Sequence, residues 1–477
     1  MGKQAGVALE QERQEAASKK MMWILVIGIL APLFDTTITN VAIDTLARDL
    51  NATMSTIQWV MTSYLLALGM VIPLTGWAVE RFGGKPMWLF SLTVFLLGSI
   101  LCSLAWNVES LIFFRIIQGI GGGLLMPIMQ TMGVRASGGQ KMGKTMAVAG
   151  LPALLGPILG PVLGGLIINN LSWRWIFFVN IPICIVAIIM AWKRLPKDES
   201  ETNTQRLDLL GLLLLSPAIV LIIYGLGEVG TNNGFGHAAV LVPFVAGVLL
   251  LTAFSIHAFR KANSALIDLA LFKVRSFTVS SMLLFLSGLT TYGSMLLLPL
   301  YYQQIRGESV LISGLLLVPQ GIGMLLTRTL AGKLTDQIGS RPVVLVGTIL
   351  VLLGTLPFVQ AGTDTNLIYL SVALIIRGAG LGAIFMPVMA SAYLDLSTKQ
   401  VPHASSTTRI MQQIGGAFGA SMIAIILQNQ LAAQPTQDIA ARAIAFDQTF
   451  LWSLCFTALA LIPAALLPRV KKVSSVK

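Results

Sequence analysis

Apolar stretches of about twenty residues, separated by short polar turns, follow one another along nearly the whole chain. A helix needs about twenty consecutive apolar residues to cross the ~30 Å hydrocarbon core of a bilayer, so each stretch reads as a membrane-spanning helix. Fourteen are predicted, at residues 22–43, 57–79, 87–106, 110–132, 144–168, 174–192, 208–228, 238–259, 277–302, 311–333, 343–361, 366–390, 404–429 and 447–467. The pattern is least distinct in the pair between 208 and 259. An even count places both ends of the chain on one face of the membrane. The first twenty residues are polar and charged, and the apolar run after Lys19 and Lys20 is too long for a signal-peptide core, so it is expected to stay as a helix.

The basic residues test the count. Turns on the face that carries both termini hold 24 of the 32 lysines and arginines. The opposite turns hold Arg48, Arg174, Arg306 and Arg442, and Arg115, Arg328, Arg377 and Arg409 fall within spans. Cytoplasmic loops are the basic ones, so both termini are expected in the cytoplasm of a multi-pass cell-membrane protein. Trp23, Trp59, Trp77, Trp106, Trp173, Trp175 and Trp192 lie near span ends, where amphipathic rings anchor at the interface.

Composition agrees with membrane solvation, at 55% hydrophobic and 11% charged residues against about 25% charged in soluble domains. The formal charge of +12 does not imply a nucleic-acid partner, because the basic clusters lie between apolar segments, where lipid headgroups account for them. Cys102, Cys184 and Cys455 are odd in number, lack metal-ligand spacing and fall in apolar runs, which predicts buried reduced thiols and no metal site.

Two segments recur. Gly76, Glu80, Arg81, Gly83, Lys85 and Pro86 follow the second span, and Gly332, Asp336, Gly339, Arg341 and Pro342 follow the tenth at an offset of 256 residues. Met126-Pro-Ile-Met129 and Met386-Pro-Val-Met389 repeat at an offset of 260. The expected organisation is a cytoplasmic segment 1–21, a six-helix bundle 22–196, a linker 197–262 with two additional helices, a second six-helix bundle 263–468 and a basic tail 469–477. Parallel repeats of this kind characterise transporters whose halves rock around a central site. Between Gly150 and Gly165, Gly156, Gly160 and Gly164 form one side-chain-free helix stripe, beside Gly165. Pro157 and Pro161 weaken the backbone ladder at that stripe. The stripe reads either as a kinked packing helix or as a conformational element.

These residues carry a resemblance. Gly76 to Pro86 is similar to the loop pattern GxxxD/ExxGR/KxP of the major facilitator superfamily. Arg115 with Gln118, Gly119, Gly121 and Gly123 resembles its fourth-helix pattern, and Gly150 to Gly165 its antiporter pattern. Phe34-Asp-Thr-Thr-Ile-Thr-Asn-Val-Ala42 and Trp173-Arg-Trp-Ile-Phe-Phe-Val-Asn-Ile-Pro182 resemble runs of the fourteen-helix drug:proton antiporter group, of bacterial multidrug exporter type. The resemblance spans nearly the whole chain. It implies an all-α polytopic fold, two six-helix bundles related by pseudo-symmetry with two helices inserted between them. It also implies a proton-driven exporter of amphipathic compounds that works by alternating access, as a monomer, with lipid, protons and substrate as partners and no cofactor.

Asp35 lies near the midplane of the first span, where its ionised form is disfavoured by loss of hydration unless a cation approaches. Arg115, in the same outer half, is that cation: Asp35 either alternates between protonated and Arg115-paired states, or the two form a static pair. The loop Gly76 to Pro86 reads either as a tight basic turn that follows the orientation rule or as a latch in which Glu80 pairs with Arg81, Lys85 or a neighbouring helix end, with Asp336 and Arg341 as the repeated arrangement. Arg328 and Arg409 are expected to snorkel to the cytoplasmic side. Arg377 sits near the midplane, to bind an anionic group or to pair with a carbonyl or carboxylate. Tyr64, Tyr292, Met295, Gln320, Met411 and Gln412 are the soft or polar candidates for an adaptable pocket. Later helices hold almost no carboxylate, which disfavours dications. The alternatives are an uptake symporter or facilitator on the same fold and, from another class, a membrane enzyme or lipid-handling protein. No GxxxxGK[ST] loop is present, and His237, His257 and His403 pair with no evident nucleophile.

Overall fold

The computed structural model describes residues 2–137, 160, 163–168, 170–196, 206–229, 236–261, 265–397, 399–434 and 438–468, and among these every regular element is a helix. In chain order they are α1 (Gly2–Val41), α2 (Ile43–Asp49), α3 (Met54–Val71), α4 (Leu74–Phe82), α5 (Gly84–Ser103), α6 (Val108–Ser137), α7 (Trp175–Phe178), α8 (Asn180–Arg194), α9 (Leu209–Gly227) and α10 (Ala238–Lys261). The second half holds α11 (Arg275–Gln304), α12 (Val310–Leu316), α13 (Val318–Ile338), α14 (Ser340–Thr355), α15 (Leu367–Tyr393), α16 (Val401–Ala432), α17 (Ile439–Leu459) and α18 (Leu461–Leu466). Twelve of the described helical segments are long and apolar enough to span a membrane, and the bent pair α3/α4 makes a thirteenth. The predicted span 144–168 falls largely outside the described residues.

Side-chain caps set where these helices begin. Thr53 accepts from Thr56 N at 3.2 Å to open α3, Ser309 from Ile312 N at 3.3 Å to open α12, and Asp438 from Ala441 N at 2.8 Å to open α17. Each such cap is worth about 1 kcal/mol. The second span turns by 56° between α3 and α4, where Pro73 cannot donate to the helical ladder.

The repeat predicted from the two loops is repeated in three dimensions. Thr53 and Ser309, both caps, are offset by 256 residues, as are Gly83 and Gly339, which share φ 91°, ψ 160° and φ 90°, ψ 164°. Only glycine adopts that backbone without strain. Helix contacts obey the same register: a Cβ on Gly121 would lie 2.4 Å from Phe95 N and one on Gly380 2.6 Å from Val351 N, while Gly119 meets the Tyr64 carbonyl as Gly378 meets that of Gln320. Side chains at these glycines would force the helices apart, so backbone packs directly on backbone. The glycine register offsets α6 from α15 by 259 residues, so Arg377 is the counterpart of Gln118, whereas the offset of 260 at Met126–Met129 pairs it with Ile117.

Within one half α5 packs on α6, α3 on α6 and α1 on α8; within the other α11 packs on α16, and α13 and α14 on α15. The inserted pair α9/α10 joins both halves through α9, which contacts α3 and α16. Crossings between the halves also run from α16 to α4 and α6. Three expectations are corrected. Arg328 does not snorkel: its exposure is 4%, because α13 continues to Ile338 and leaves it about three turns from the helix end. Trp173 is buried, its ring edge-on to Phe177, whereas Trp23, Trp59, Trp106, Trp175 and Trp192 are exposed as interface anchors should be. Cys455 is exposed on α17, while Cys102 and Cys184 are buried thiols.

Candidate functional site

Helices α1, α3, α5, α6 and α8 converge on Asp35. The Arg115 guanidinium, carried by α6, donates from Nη1 to Asp35 Oδ2, and both side chains are fully buried. The other carboxylate oxygen accepts from Gln118 Nε2 at 2.9 Å and from Asn180 Nδ2 at 3.0 Å. Among the described residues three donors face the carboxyl group, so both of its oxygens act as acceptors.

Arg115 is equally well held. Its Nε donates to the Val60 carbonyl at 3.1 Å, its Nη1 also to Gln118 Oε1 at 2.8 Å, and its guanidinium lies 4.2 Å from the centre of the Tyr64 ring. Gln118 in turn donates to Ser99 Oγ at 2.8 Å. Glycine makes the convergence possible, since a Cβ on Gly98 would sit 2.6 Å from Gln118 Cα. Removing two charges from water costs several kcal/mol each, and only such a set of satisfied hydrogen bonds offsets it. Among the described residues two buried polar atoms at the site lack partners, Tyr64 OH and Asn180 Oδ1.

The symmetry-related position in the other half holds a different chemistry. Arg377 donates from Nη1 to Gln320 Oε1 and from Nε to Thr355 Oγ1 at 3.2 Å. Gln320 corresponds to Tyr64 and Thr355 to Ser99, each at an offset of 256. Both partners of this buried guanidinium are neutral. The carbonyl alternative for Arg377 is therefore met by a side-chain amide. Arg328 is buried with Nε and Nη2 lacking hydrogen-bond partners.

The remaining candidates do not join either cluster. Tyr292 packs its ring on Gly416 and Gln412 presents its carbonyl to Gly288, both at the α11–α16 contact. Gln412 Oε1 also accepts from Arg409 Nη1 at 2.8 Å, so half-buried Arg409 has a local amide partner. Met411 packs partly buried in the cluster that contains Tyr64, and Met295 is 47% exposed. Of the glycine and proline stripe, Gly156, Pro157 and Pro161 lie outside the described residues. Gly160 abuts α1, where its Cβ would lie 2.4 Å from Thr37 Cβ; Gly164 is buried, and Gly165 has nothing within 4 Å.

At the end of the bundle rich in basic residues, Glu80 on α4 meets His403 on α16, Oε1 to Nε2 at 3.4 Å. Thr131 and Ser405 share a hydrogen bond of 2.7 Å, and Tyr393 OH reaches Gln130 Oε1 at 3.5 Å, so polar contacts bridge the halves here. Lys85 donates to the Trp192 and Leu195 carbonyls at 2.8 and 2.7 Å, fastening the end of α8. Arg81 and Arg341 are half-buried and Asp336 is exposed.

Sequence reasoning missed Ser99, Asn180, Thr355 and His403. Asn180 and Gln118 lie inside quoted runs, and the glycine register would have found Thr355. His403 has no local signal, because its partner is more than three hundred residues away.

The same architecture recurs in known proteins. Residues 25–420 match the family model of the Major Facilitator Superfamily. A Mycobacterium tuberculosis protein named multidrug resistance protein B homolog is 35% identical over 421 residues, covering 88% of this chain and 78% of the relative. The Haemophilus influenzae multidrug export protein EmrB is 31% identical over 407 residues, covering 85% and 79%. Among solved structures, a double-tryptophan mutant of XylE superposes with a TM-score of 0.65 over 96% of this chain and 97% of that one, at 15% identity. The human organic anion transporter MFSD10 superposes with 0.61 over 94% and 99%, at 17% identity. The two-bundle helical fold, its buried charged pair and these matches agree: the chain belongs to the Major Facilitator Superfamily and is a multi-pass membrane transporter rather than an enzyme.

Proposed function

We propose that the protein is a proton-coupled exporter of amphipathic hydrophobic compounds, drugs among them, working by alternating access with both termini in the cytoplasm. The observation that carries this reading is the Asp35 carboxyl buried against the Arg115 guanidinium between five helices. An ionised carboxylate in the membrane interior is stable only while its partner is in place, so tilting the helices exchanges the Arg115 contact for a proton. Asp35 and Arg115 are the coupling residues in this reading. Tyr64, with its unpartnered hydroxyl, and Tyr292, Met295, Gln320, Arg377, Met411 and Gln412 are candidate substrate contacts.

Glu80 and His403 form the cytoplasmic latch, with Gly76 and Gly83 shaping the loop, Arg81 and Lys85 holding its flanks, and Asp336 and Arg341 the weaker counterpart. Gly160, which packs on α1, belongs to the glycine and proline run that is the conformational element in this reading. The names of the M. tuberculosis and H. influenzae relatives support drug export. The working unit is one chain in lipid, driven by the proton gradient without a cofactor. Reconstitution into proteoliposomes with an imposed pH gradient and a fluorescent amphipathic dye tests it: gradient-driven dye movement that collapses with a protonophore is expected, and dye movement indifferent to the gradient would refute the coupling.

A further inference from the structure

A second set of titratable groups lies away from Asp35, around the peptide of Leu266, which leads from the inserted helices into the second bundle. The Leu266 carbonyl faces His403 Nδ1 at 3.1 Å, and the Leu266 N–H donates to Asp208 Oδ2 at 3.1 Å. Asp208 opens α9 and is held there by Gly211 N at 3.2 Å, His257 Nε2 at 2.9 Å and Lys261 Nζ at 2.9 Å, the last two from α10. Burial alone pushes the Asp208 carboxyl up, but the hydrogen bonds from Lys261, His257 and the two backbone N–H groups outweigh it and hold it below the usual carboxylate range. This aspartate is a fixed anion, and it fixes the Leu266 peptide.

The proton count at His403 then follows from hydrogen-bond chemistry. A carbonyl oxygen only accepts, so Nδ1 must carry a hydrogen. The other ring nitrogen faces Glu80 Oε1 at 3.4 Å. If Nε2 were bare, two lone pairs would oppose each other across that gap. Either the imidazole is doubly protonated or the Glu80 carboxyl is protonated, and in both cases the closed contact holds one proton more than neutral His403 and ionised Glu80. Among the described residues the charged groups that face the ring are Glu80 on α4 and Asp268 in the segment leading to α11. Among the described residues the other side-chain contacts near the start of α16 are neutral: Thr131 on α6 to Ser405 across the halves, and Tyr393 on α15 to Thr408 within the second half.

We propose that Glu80 and His403 form a second proton-binding site, facing the cytoplasm, which closes the latch only when one proton is bound, and that Asp208 is its positioning residue through the Leu266 peptide. The proton comes from cytoplasmic water and returns there when the halves part, so it is not carried across the membrane. An acid cytoplasm then favours the closed latch, and the inserted helices hold the acceptor against which His403 is oriented. This rests on the reading of Gly76 to Pro86 as a latch.

The test uses full-length protein in lipid nanodiscs with spin labels at Phe82→Cys and Leu394→Cys, exposed sites on opposite halves at that end, in an Asp35→Asn, Cys455→Ser background that silences the first proton site. The short-distance population is expected to grow as pH falls from 8.5 to 5.5, its ratio to the long-distance one rising by up to about tenfold per pH unit. Glu80→Gln should stay closed and lose the pH dependence, because the amide N–H donates to a neutral imidazole. Asp208→Ala should move the midpoint to lower pH, and Asp208→Glu should restore it. A pH-independent distribution in the parent protein, or unchanged pH dependence in Glu80→Gln, overturns the proton site. If the His403→Ala distribution equals that of the parent at every pH, the latch itself is wrong.

Discussion

The two halves share a backbone and differ in charge. Gly98, Gly119, Gly121 and Gly123 pack α6 against its neighbours as Gly354, Gly378, Gly380 and Gly382 pack α15. Within that common frame, Ser99 and Gln118 in the first half become Thr355 and Arg377 in the second, and Tyr64 becomes Gln320. The first half pairs its buried arginine with a carboxylate; the second leaves its arginine to an amide and a hydroxyl. Duplicated packing thus preserves geometry while a few side chains decide which half holds a buried ion pair.

The comparison predicts unequal outcomes for equal truncations. Arg115→Ala strands the Asp35 anion among dehydrated helices and should cost about 3–5 kcal/mol, seen as a large drop in thermal midpoint in detergent, with transport abolished. Arg377→Gln removes a charge that has no anion beside it and should change stability by no more than about 1 kcal/mol, in the stabilising direction. Equal damage from both would break the contrast.

Packing should be symmetric where charge is not. Gly121→Leu and Gly380→Leu would each drive a Cβ to within 2.4 and 2.5 Å of backbone on the facing helix, so both should prevent folding to similar degrees in a protease-protection assay. Gly160→Leu, which meets a side chain and backbone of α1 at Thr37, should insert normally and lose dye export. Retained export would make Gly160 a packing position and nothing more.

The smallest effect concerns the inserted pair. Asp208 is held below the ordinary carboxylate range, so its stabilising contacts are fully present above about pH 4 and are lost as pH falls through its lowered value. Proteolysis within the 197–262 linker should therefore accelerate only in strong acid, and Asp208→Asn should flatten that acid limb.

Most of the architecture was legible because bilayer thickness sets a length scale that apolar runs obey, and because the loops at Gly83 and Gly339 need a backbone that only glycine adopts freely. Asp35 and Arg115 were legible for a related reason: a charge in an apolar run must find a partner, and each half of the pair announces the other. His403 and Asp208 were not. Both sit at helix ends, where charged residues are ordinary, and their partners come from segments far along the chain. Arg328 was misjudged because the polar end of α13, from Lys333 to Asp336, read as a turn although the helix runs on through it.

The central claim is that the proton is taken up where Arg115 lets go of Asp35. In proteoliposomes preloaded with a fluorescent amphipathic dye, the Asp35→Asn protein should lose uphill, gradient-driven dye transport and the accompanying proton flux while keeping downhill dye exchange. Full gradient-driven transport by Asp35→Asn, with proton flux intact, would contradict the account.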